Sequence, residues 1–451
     1  MFALALRSLR HRISGFAASF LAMFLGATIL MSFAAMLDTA GGTGVDATSK
    51  ETLTTMGAVV GGWGLLLVVF AVSSTLTLSV RQRSAEMALL RSIGATPRQV
   101  TRMIVGESAV LAAAAAVLAV APAVLGGRLL LDLLGSTGQV DADVAYVFGP
   151  IALGMGITIT FAAATLAALI TARRAARTSA AEALGAAAVA DDSRLSKKRI
   201  AVGVVFLLLA LDLAVVTATV MKGKGSDAMQ TAGQTSIWAA IGLAVLAPAI
   251  IRKVAAVVAG PLERRGLTGY LTAQNLRRHT GRLASVVMPV VLFTAIGAGT
   301  LVMQAVENDA MAASGLLKSN EQKNIETLNF VVTGMIVAFA AIMLINTLVA
   351  ATAARRREFA QVRLAGATPR QVLKVVALEG AILTAVGVAL GTAAALPTIL
   401  PYSYARTGDV VPGTGAGIYL AIVAVAAVLT VATGYAAARR TIRTPAITAV
   451  A

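Results

Sequence analysis

The chain has 451 residues, of which 58% are hydrophobic and 13% charged, and it carries a formal net charge of +17. Its mean hydropathy of +0.83 excludes an ordinary soluble globular domain. The lack of cysteine excludes disulfides, thiol catalysis and Cys-ligated metals, and His11 and His279, its two histidines, are too few for a histidine metal cluster.

Apolar runs of about 20 residues, long enough to cross a bilayer as a helix, recur along the chain. They predict ten spans, at about 14–37, 57–80, 104–131, 149–172, 200–221, 235–251, 283–305, 328–352, 374–398 and 417–438. The first run follows Arg7, Arg10 and Arg12, as a signal peptide would. It is long enough to span, however, and a similar segment recurs later, so it is read as the first crossing. With the N-terminus inside, 31 of the 38 Lys and Arg residues fall in cytoplasmic segments. Acidic residues show the opposite bias: Asp38, Asp46, Glu51, Asp132, Asp141, Asp143, Asp227, Glu307, Asp309, Glu321, Glu326 and Asp409 fall outside. This is the positive-inside pattern. Trp63 and Trp238 fall near outer span ends, where indole rings favour the interface. The basic excess thus reads as a topology signal and an attraction to anionic lipid. It is not read as a nucleic-acid surface, which would call for a stacking platform. The expected location is a cell (inner, cytoplasmic) membrane, with several crossings and both termini cytoplasmic.

The stretch GATPRQV occurs at Gly94–Val100 and again at Gly366–Val372. At the same offset Glu86 matches Glu358, Arg91 matches Arg363, and Glu107 matches Glu379. Ala115 and Ala119 match Gly387 and Gly391, a small-xxx-small row suited to close helix packing. ARRAARTSAAEAL (172–184) matches ARRTIRTPAITAV (438–450), and SLRHR (8–12) resembles NLRRH (275–279). The fold class expected is an all-α integral membrane protein of about ten transmembrane helices. Its arrangement is 4+2+4, with two parallel pseudo-symmetric four-helix units at 1–184 and 266–451. The stretch 185–265 holds a linker and two central spans. An even number of spans separates the repeats, so both have one orientation, with a pseudo-twofold axis along the membrane normal.

Within each copy, Gly94 and Gly366 read as helix stops, because glycine enters the left-handed conformation without strain. Thr96-Pro97-Arg98-Gln99 and Thr368-Pro369-Arg370-Gln371 read as helix starts. Thr is the N-cap, Pro suits N1, and Gln at N3 completes a capping box. Each copy is therefore a helix, a tight corner and a second helix. Arg7–Arg12 and Tyr270–Arg282 read as interfacial elbow helices. The corner is either a well-made connection between membrane helices or, because it occurs twice, a pair of docking points for a symmetric partner.

The segment RSAEMALLRSIGATPRQV followed by Glu107, and its second copy followed by Glu379, resemble the signature of FtsX-like permeases. These are membrane subunits of a class of ABC transporters that includes MacB-type and BceB-type proteins. The 4+2+4 order is similar to the BceB type. The resemblance implies that Glu86–Val100 and Glu358–Val372 dock two copies of a cytoplasmic ABC ATPase, which would hold ATP and Mg. This chain would then hold no cofactor. The outer loops at about 38–56 and 306–327 are only some twenty residues long, so the large extracellular domain of those relatives is not expected here.

No phosphate-binding loop, metalloprotease helix or nucleophile elbow is present, so the chain is not expected to be catalytic, and no metal site is expected. Two readings remain. In the first, the chain couples a partner's ATP hydrolysis to export, extraction or mechanotransmission of an amphipathic or lipid-like substrate such as an antimicrobial peptide, lipid or hydrophobic drug. In the second it is a non-ATP channel, secondary transporter or scaffold. The second needs ionisable residues inside the membrane, and Asp212, in span 5, is the one clear candidate. The alternative for Asp212 is a protonated or hydrogen-bonded group that helps span 5 pack. Glu107 and Glu379 either tie the corners to nearby arginines and transmit motion, or form interfacial ion pairs of little consequence. Arg98 and Arg370 either pair with acidic groups of the ATPase or bind lipid phosphate.

Overall fold

In the computed structural model the described residues are 13–60, 72, 94–177, 196–224, 227–315, 320–353, 355–443, 445 and 447. Among them every regular element is helical. In chain order these are α1 (Ile13–Ala40), α2 (Ala47–Thr55, running into a π turn at Met56–Val60), α3 (Pro97–Ser136), α4 (Pro150–Arg177), α5 (Lys197–Thr219) and α6 (Ala228–Glu263). They continue as α7 (Gly266–Arg278), α8 (Thr280–Ser314), α9 (Asn320–Ala353), α10 (Arg356–Leu364), α11 (Pro369–Thr407) and α12 (Ala416–Ile442). Among the described residues α1, α3, α4, α5, α6, α8, α11 and α12 are long and apolar enough to cross a membrane, and α9 covers the expected crossing at 328–352. Most of the expected second crossing (57–80), the first elbow (Arg7–Arg12) and most of the linker at 178–199 lie outside the described residues.

Lipid offers no hydrogen bonds to a bare backbone, so a crossing segment must be helical throughout. What the sequence does not mark is where each helix stops once it leaves the bilayer. The outer segment expected as a loop at 306–327 is largely helical: α8 continues to Ser314 and α9 begins at Asn320. The polar run VENDAMAAS ends the hydropathy signal but not the helix, which stops only at Gly315, a left-handed cap with φ +66°. Likewise α6 continues past the expected end at 251 to Glu263, because Arg252 and Lys253 interrupt hydropathy without breaking a helix. The other expected outer loop, 38–56, contains α2, capped by Asp46, whose carboxylate accepts from the amides of Thr48 and Ser49.

The chain divides into two compact units, Met1–Ala188 with Lys318–Met335 and Val189–Leu317 with Ile336–Ala451. In the first, α1 packs on α3 and α4. Ala116, Ala119 and Ala123 of α3 close on Ala27 and Met31 of α1, and Ala115 is fully buried. Ser32 donates to the Ala123 carbonyl at 3.1 Å. At the end of α1, buried Asp38 accepts from the amides of Ile151 (3.1 Å) and Ala152 (2.7 Å). It thereby places a carboxylate on the positive start of α4. Gln139 donates to Thr327 at 2.9 Å, anchoring the first turns of α9 within this unit.

In the second unit α8 is the central helix: 89% of its apolar window is buried, and it packs on α6, α11 and α12. The two central spans, α5 and α6, belong to this unit. There α5 lies on α6 and α11, and Phe206 stacks on Trp238 with ring centroids 5.5 Å apart. The small row on α11 permits its close approach to α8. A Cβ on Gly387 would sit 2.6 Å from a Val290 methyl, and one on Gly391 would sit 2.5 Å from Thr294 Cβ and 3.1 Å from the Val291 carbonyl. Gly391→Val is therefore expected to cost about 1–3 kcal/mol through overpacking, read as a lower thermal midpoint in detergent. Gly380, whose Cβ would meet nothing within 4 Å, serves as control, and Gly380→Ala should leave the midpoint in place. Equal midpoints for the two variants would sink the close-packing account.

Candidate functional site

Both GATPRQV corners have the same built geometry. Gly94 and Gly366 adopt φ of +99° and +101°. Thr96 caps α3 and Thr368 caps α11, each with a complete capping box to Gln99 or Gln371 and with Pro97 or Pro369 in the first turn. In the second copy the preceding helix, α10, ends in a Schellman motif. The Gly366 amide donates to the Arg363 carbonyl at 3.0 Å, and the Ala367 amide donates to the Val362 carbonyl at 3.1 Å. The residues before Gly94 lie outside the described residues. Both corners are solvent-facing: Gly94, Thr96, Arg98 and Gln99 are exposed, as are Gly366, Thr368, Pro369 and Arg370. The final valine of each copy, Val100 or Val372, is buried. The motif thus roots itself by one apolar residue and presents an arginine outward.

The short helix α10 is held on one face and free on the other. Phe359 and Val362 pack against Val372 and Val376 of α11 and Ala438 and Ile442 of α12. Arg363 donates to the Ile442 carbonyl at 3.0 Å, satisfying an end-of-helix acceptor. Arg355, at the junction of α9 and α10, is 8% exposed. Its guanidinium bonds both oxygens of Glu379 and both oxygens of Glu358, at 3.1 and 2.8 Å. It also lies over the Phe359 ring, 4.8 Å from the centroid. Asn275 of α7 donates to Glu379 at 2.6 Å. One buried node therefore ties α7, the α9–α10 junction and α11 together. Burial by itself favours loss of the Arg355 proton, but the Glu379 and Glu358 carboxylates outweigh it, and the group is held above the usual arginine range. The charge is therefore permanent. Arg363 and Glu358, expected as docking residues, are half-buried and bonded to the Ile442 carbonyl and to Arg355.

Glu379 lies ten residues into α11, about 15 Å along the axis from the corner at 1.5 Å per residue. A second buried ionic node lies farther along the same helix. Glu307 of α8, 5% exposed, accepts from Tyr402 at 2.6 Å and from Arg406 at 2.7 Å. Glu379 and Tyr402 are about 35 Å apart along α11, close to the thickness of a bilayer core of about 30 Å. The helix is thus pinned by charge at two levels and by glycine-mediated packing between them. Sequence reasoning missed Arg355, Asn275, Glu307, Tyr402 and Arg406. For Arg355 a signal existed: Arg83 stands at the matching position of the first copy.

In the first unit Glu107 is buried at the position matching Glu379, with 2% exposure. Glu86 and Arg91, expected as coupling residues, lie outside the described residues, as does Arg83. Asp212 is exposed on α5, beside exposed Leu208, Leu211 and Val215. Its side chain faces away from the unit. The expected second elbow, Tyr270–Arg282, is the helix α7 followed by a break at His279. It packs on α6 and α11, whereas the sequence suggested a helix lying on lipid. Removing one partner of a buried ion pair strands the other charge, at a cost of about 3–5 kcal/mol. Arg355→Met should lose that much, measured by chemical unfolding in detergent. Glu379→Gln, which leaves Arg355 paired with Glu358, should lose less. Wild-type stability in Arg355→Met would show that the node carries no structural role.

A model for the FtsX-like permease C-terminal domain matches the chain twice, over residues 58–180 and 330–446. No curated protein matches it. The first match contains Gly94–Val100 and Glu107, and the second contains Arg355, Glu358, Gly366–Val372 and Glu379. Together the matches cover more than half of the chain. With its membrane-length helices and a duplicated corner inside each matched region, the chain belongs to the FtsX-like permease family, the non-catalytic membrane subunits that work with ATPase subunits in ABC transporters.

Proposed function

We propose that the chain is a pseudo-dimeric membrane subunit of an ABC transporter, with one cytoplasmic ATPase docked at each corner. The observation that carries this reading is the pair of corners. Two separate stretches fold into the same exposed turn, with a left-handed glycine and a complete capping box, and each presents one arginine, Arg98 or Arg370. No ion pair of either arginine is found among the described residues. ATP and Mg would reside in the partner. The orientation that places the corners in the cytoplasm follows from the distribution of Lys and Arg. It also places the termini inside and Glu307, Tyr402 and Arg406 at the outer face.

A push on the second corner would pass into α11 and α10 together. Their shared ends are held by the Schellman turn, the capping box and the Arg355 node, and packed elements of this kind move as rigid bodies or by shear. Arg83 and Glu86 are assigned the same service toward Glu107 in the first unit, by their match to Arg355 and Glu358. The short outer connections leave the moving surface largely within lipid. That favours an amphipathic or lipid-like substrate over a soluble one and separates this chain from relatives with a large extracellular domain.

The test is to isolate the tagged chain from its native membrane in mild detergent and measure co-purifying ATP hydrolysis. The expected result is an ATPase in about twofold excess. In the Arg98→Glu/Arg370→Glu variant, recovery should fall at least about tenfold, which corresponds to roughly 1.4 kcal/mol, while membrane insertion is retained. An intact chain with no ATPase in any preparation overturns the reading.

A further inference from the structure

Between the C-terminal ends of α9 and α12, within the second unit, lies a cleft of about 630 Å³, within the range typical of ligand sites. Its walls are apolar, from Val349 of α9 and Ala436 of α12 among others, and its polar lining is Arg356, Thr433, Arg440 and Thr441. Arg356 opens α10 and Arg440 lies in the last turn of α12, so two separate elements bring guanidinium groups to one opening. Both are exposed. Of the other arginines nearby, Arg355 is committed to two carboxylates and Arg363 to the Ile442 carbonyl. No carboxylate lines the cleft, and among the described residues neither Arg356 nor Arg440 has an ion pair. The C-terminal dipole of α12 favours a cation in its last turn, but Arg439 already serves there and leaves the pairing of Arg356 with Arg440 unexplained.

We infer that this cleft binds the phosphate of an anionic phospholipid, with Arg356 and Arg440 on the phosphate and the Val349–Ala436 wall against an acyl chain. The position selects this ligand. The cleft opens where apolar helices leave the bilayer, and basic pockets at that level between membrane helices are suited to anionic headgroups. Guanidinium groups bind phosphate oxygens as planar forks. A free phosphate would satisfy the arginines but leave the apolar wall uncovered. Because Arg356 is the first residue of α10, the bound lipid would steady the helix that leads into the second corner. The inference requires that α9 and α12 cross the bilayer; it does not require the ATPase, so it stands or falls apart from the docking reading.

The experiment is native mass spectrometry of the full chain released from nanodiscs of equal phosphatidylglycerol and phosphatidylcholine. The wild type should retain phosphatidylglycerol preferentially, and millimolar inorganic phosphate should not displace it. Arg356→Gln/Arg440→Gln should bind phosphatidylglycerol roughly 30-fold more weakly, as expected for two lost cations near the surface. Arg439→Gln should match the wild type, and Arg356→Lys/Arg440→Lys should keep most of the preference. The proposal is overturned if the wild type shows no preference, if phosphate displaces the lipid, or if the glutamine pair binds as well as the wild type. An equal loss in Arg439→Gln, which would indicate diffuse surface charge, also overturns it.

Discussion

A helix crosses lipid freely, because its backbone satisfies itself, but it cannot end there. The free amides and carbonyls of its last turns must find water, caps or partners. That constraint governs the architecture of this chain. The long helices run past the bilayer before they stop. Where one helix passes into the next through a tight turn, as α10 joins α11, the ends are closed by a Schellman turn on one side and a capping box on the other. A corner that satisfies its own backbone needs no surrounding protein and can stand exposed. It is therefore free to meet another molecule.

The buried arginine node is the second consequence of the same economy. Arg355 sits where α9 gives way to α10, a place with few backbone partners, and its guanidinium gathers Glu358, Glu379 and, through Glu379, Asn275. A buried ion pair is weak evidence of net stability. Its value here is geometric, since it fixes the relation of three elements around one exposed turn. Glu307 with Tyr402 and Arg406 does the same for α8 and α11 about 35 Å away along the helix. Between the nodes, Gly387 and Gly391 bring α11 against α8 closely enough that added atoms would collide. A rod held at both ends and along its length transmits displacement.

Much of the corner could be read from seven letters. Glycine with positive φ, threonine as cap, proline in the first turn and glutamine closing the box are local rules, and local rules act wherever the residues occur. Their repetition at Gly94 and Gly366 made the duplication visible before any packing was known. The glycine row was legible for a similar reason, because small residues spaced by four mark one helix face. The partners of Glu379 were less legible. Arg355 lies 24 residues away and Asn275 lies 104 away, and among so many arginines near the corners nothing local singles out the buried one. Hydropathy also misplaced the helix ends, since it reports where lipid stops and not where hydrogen bonding stops, as the extension of α8 to Ser314 shows.

By itself the sequence determined the class of the protein, its duplication, the corner chemistry and the family, because each depends on periodicity, short-range backbone preference or direct repetition. Only the tertiary structure decided which arginines are used internally and which are offered outward. Arg355 is buried and Arg363 is bonded to the Ile442 carbonyl, while Arg356, Arg370 and Arg440 remain on the surface. It also decided that α5 and α6 join the second unit and that Asp212 faces away from it. The physical reason is that side-chain burial depends on which distant helix faces meet, and neighbours in sequence, such as Arg355 and Arg356, project in different directions from the backbone that carries them.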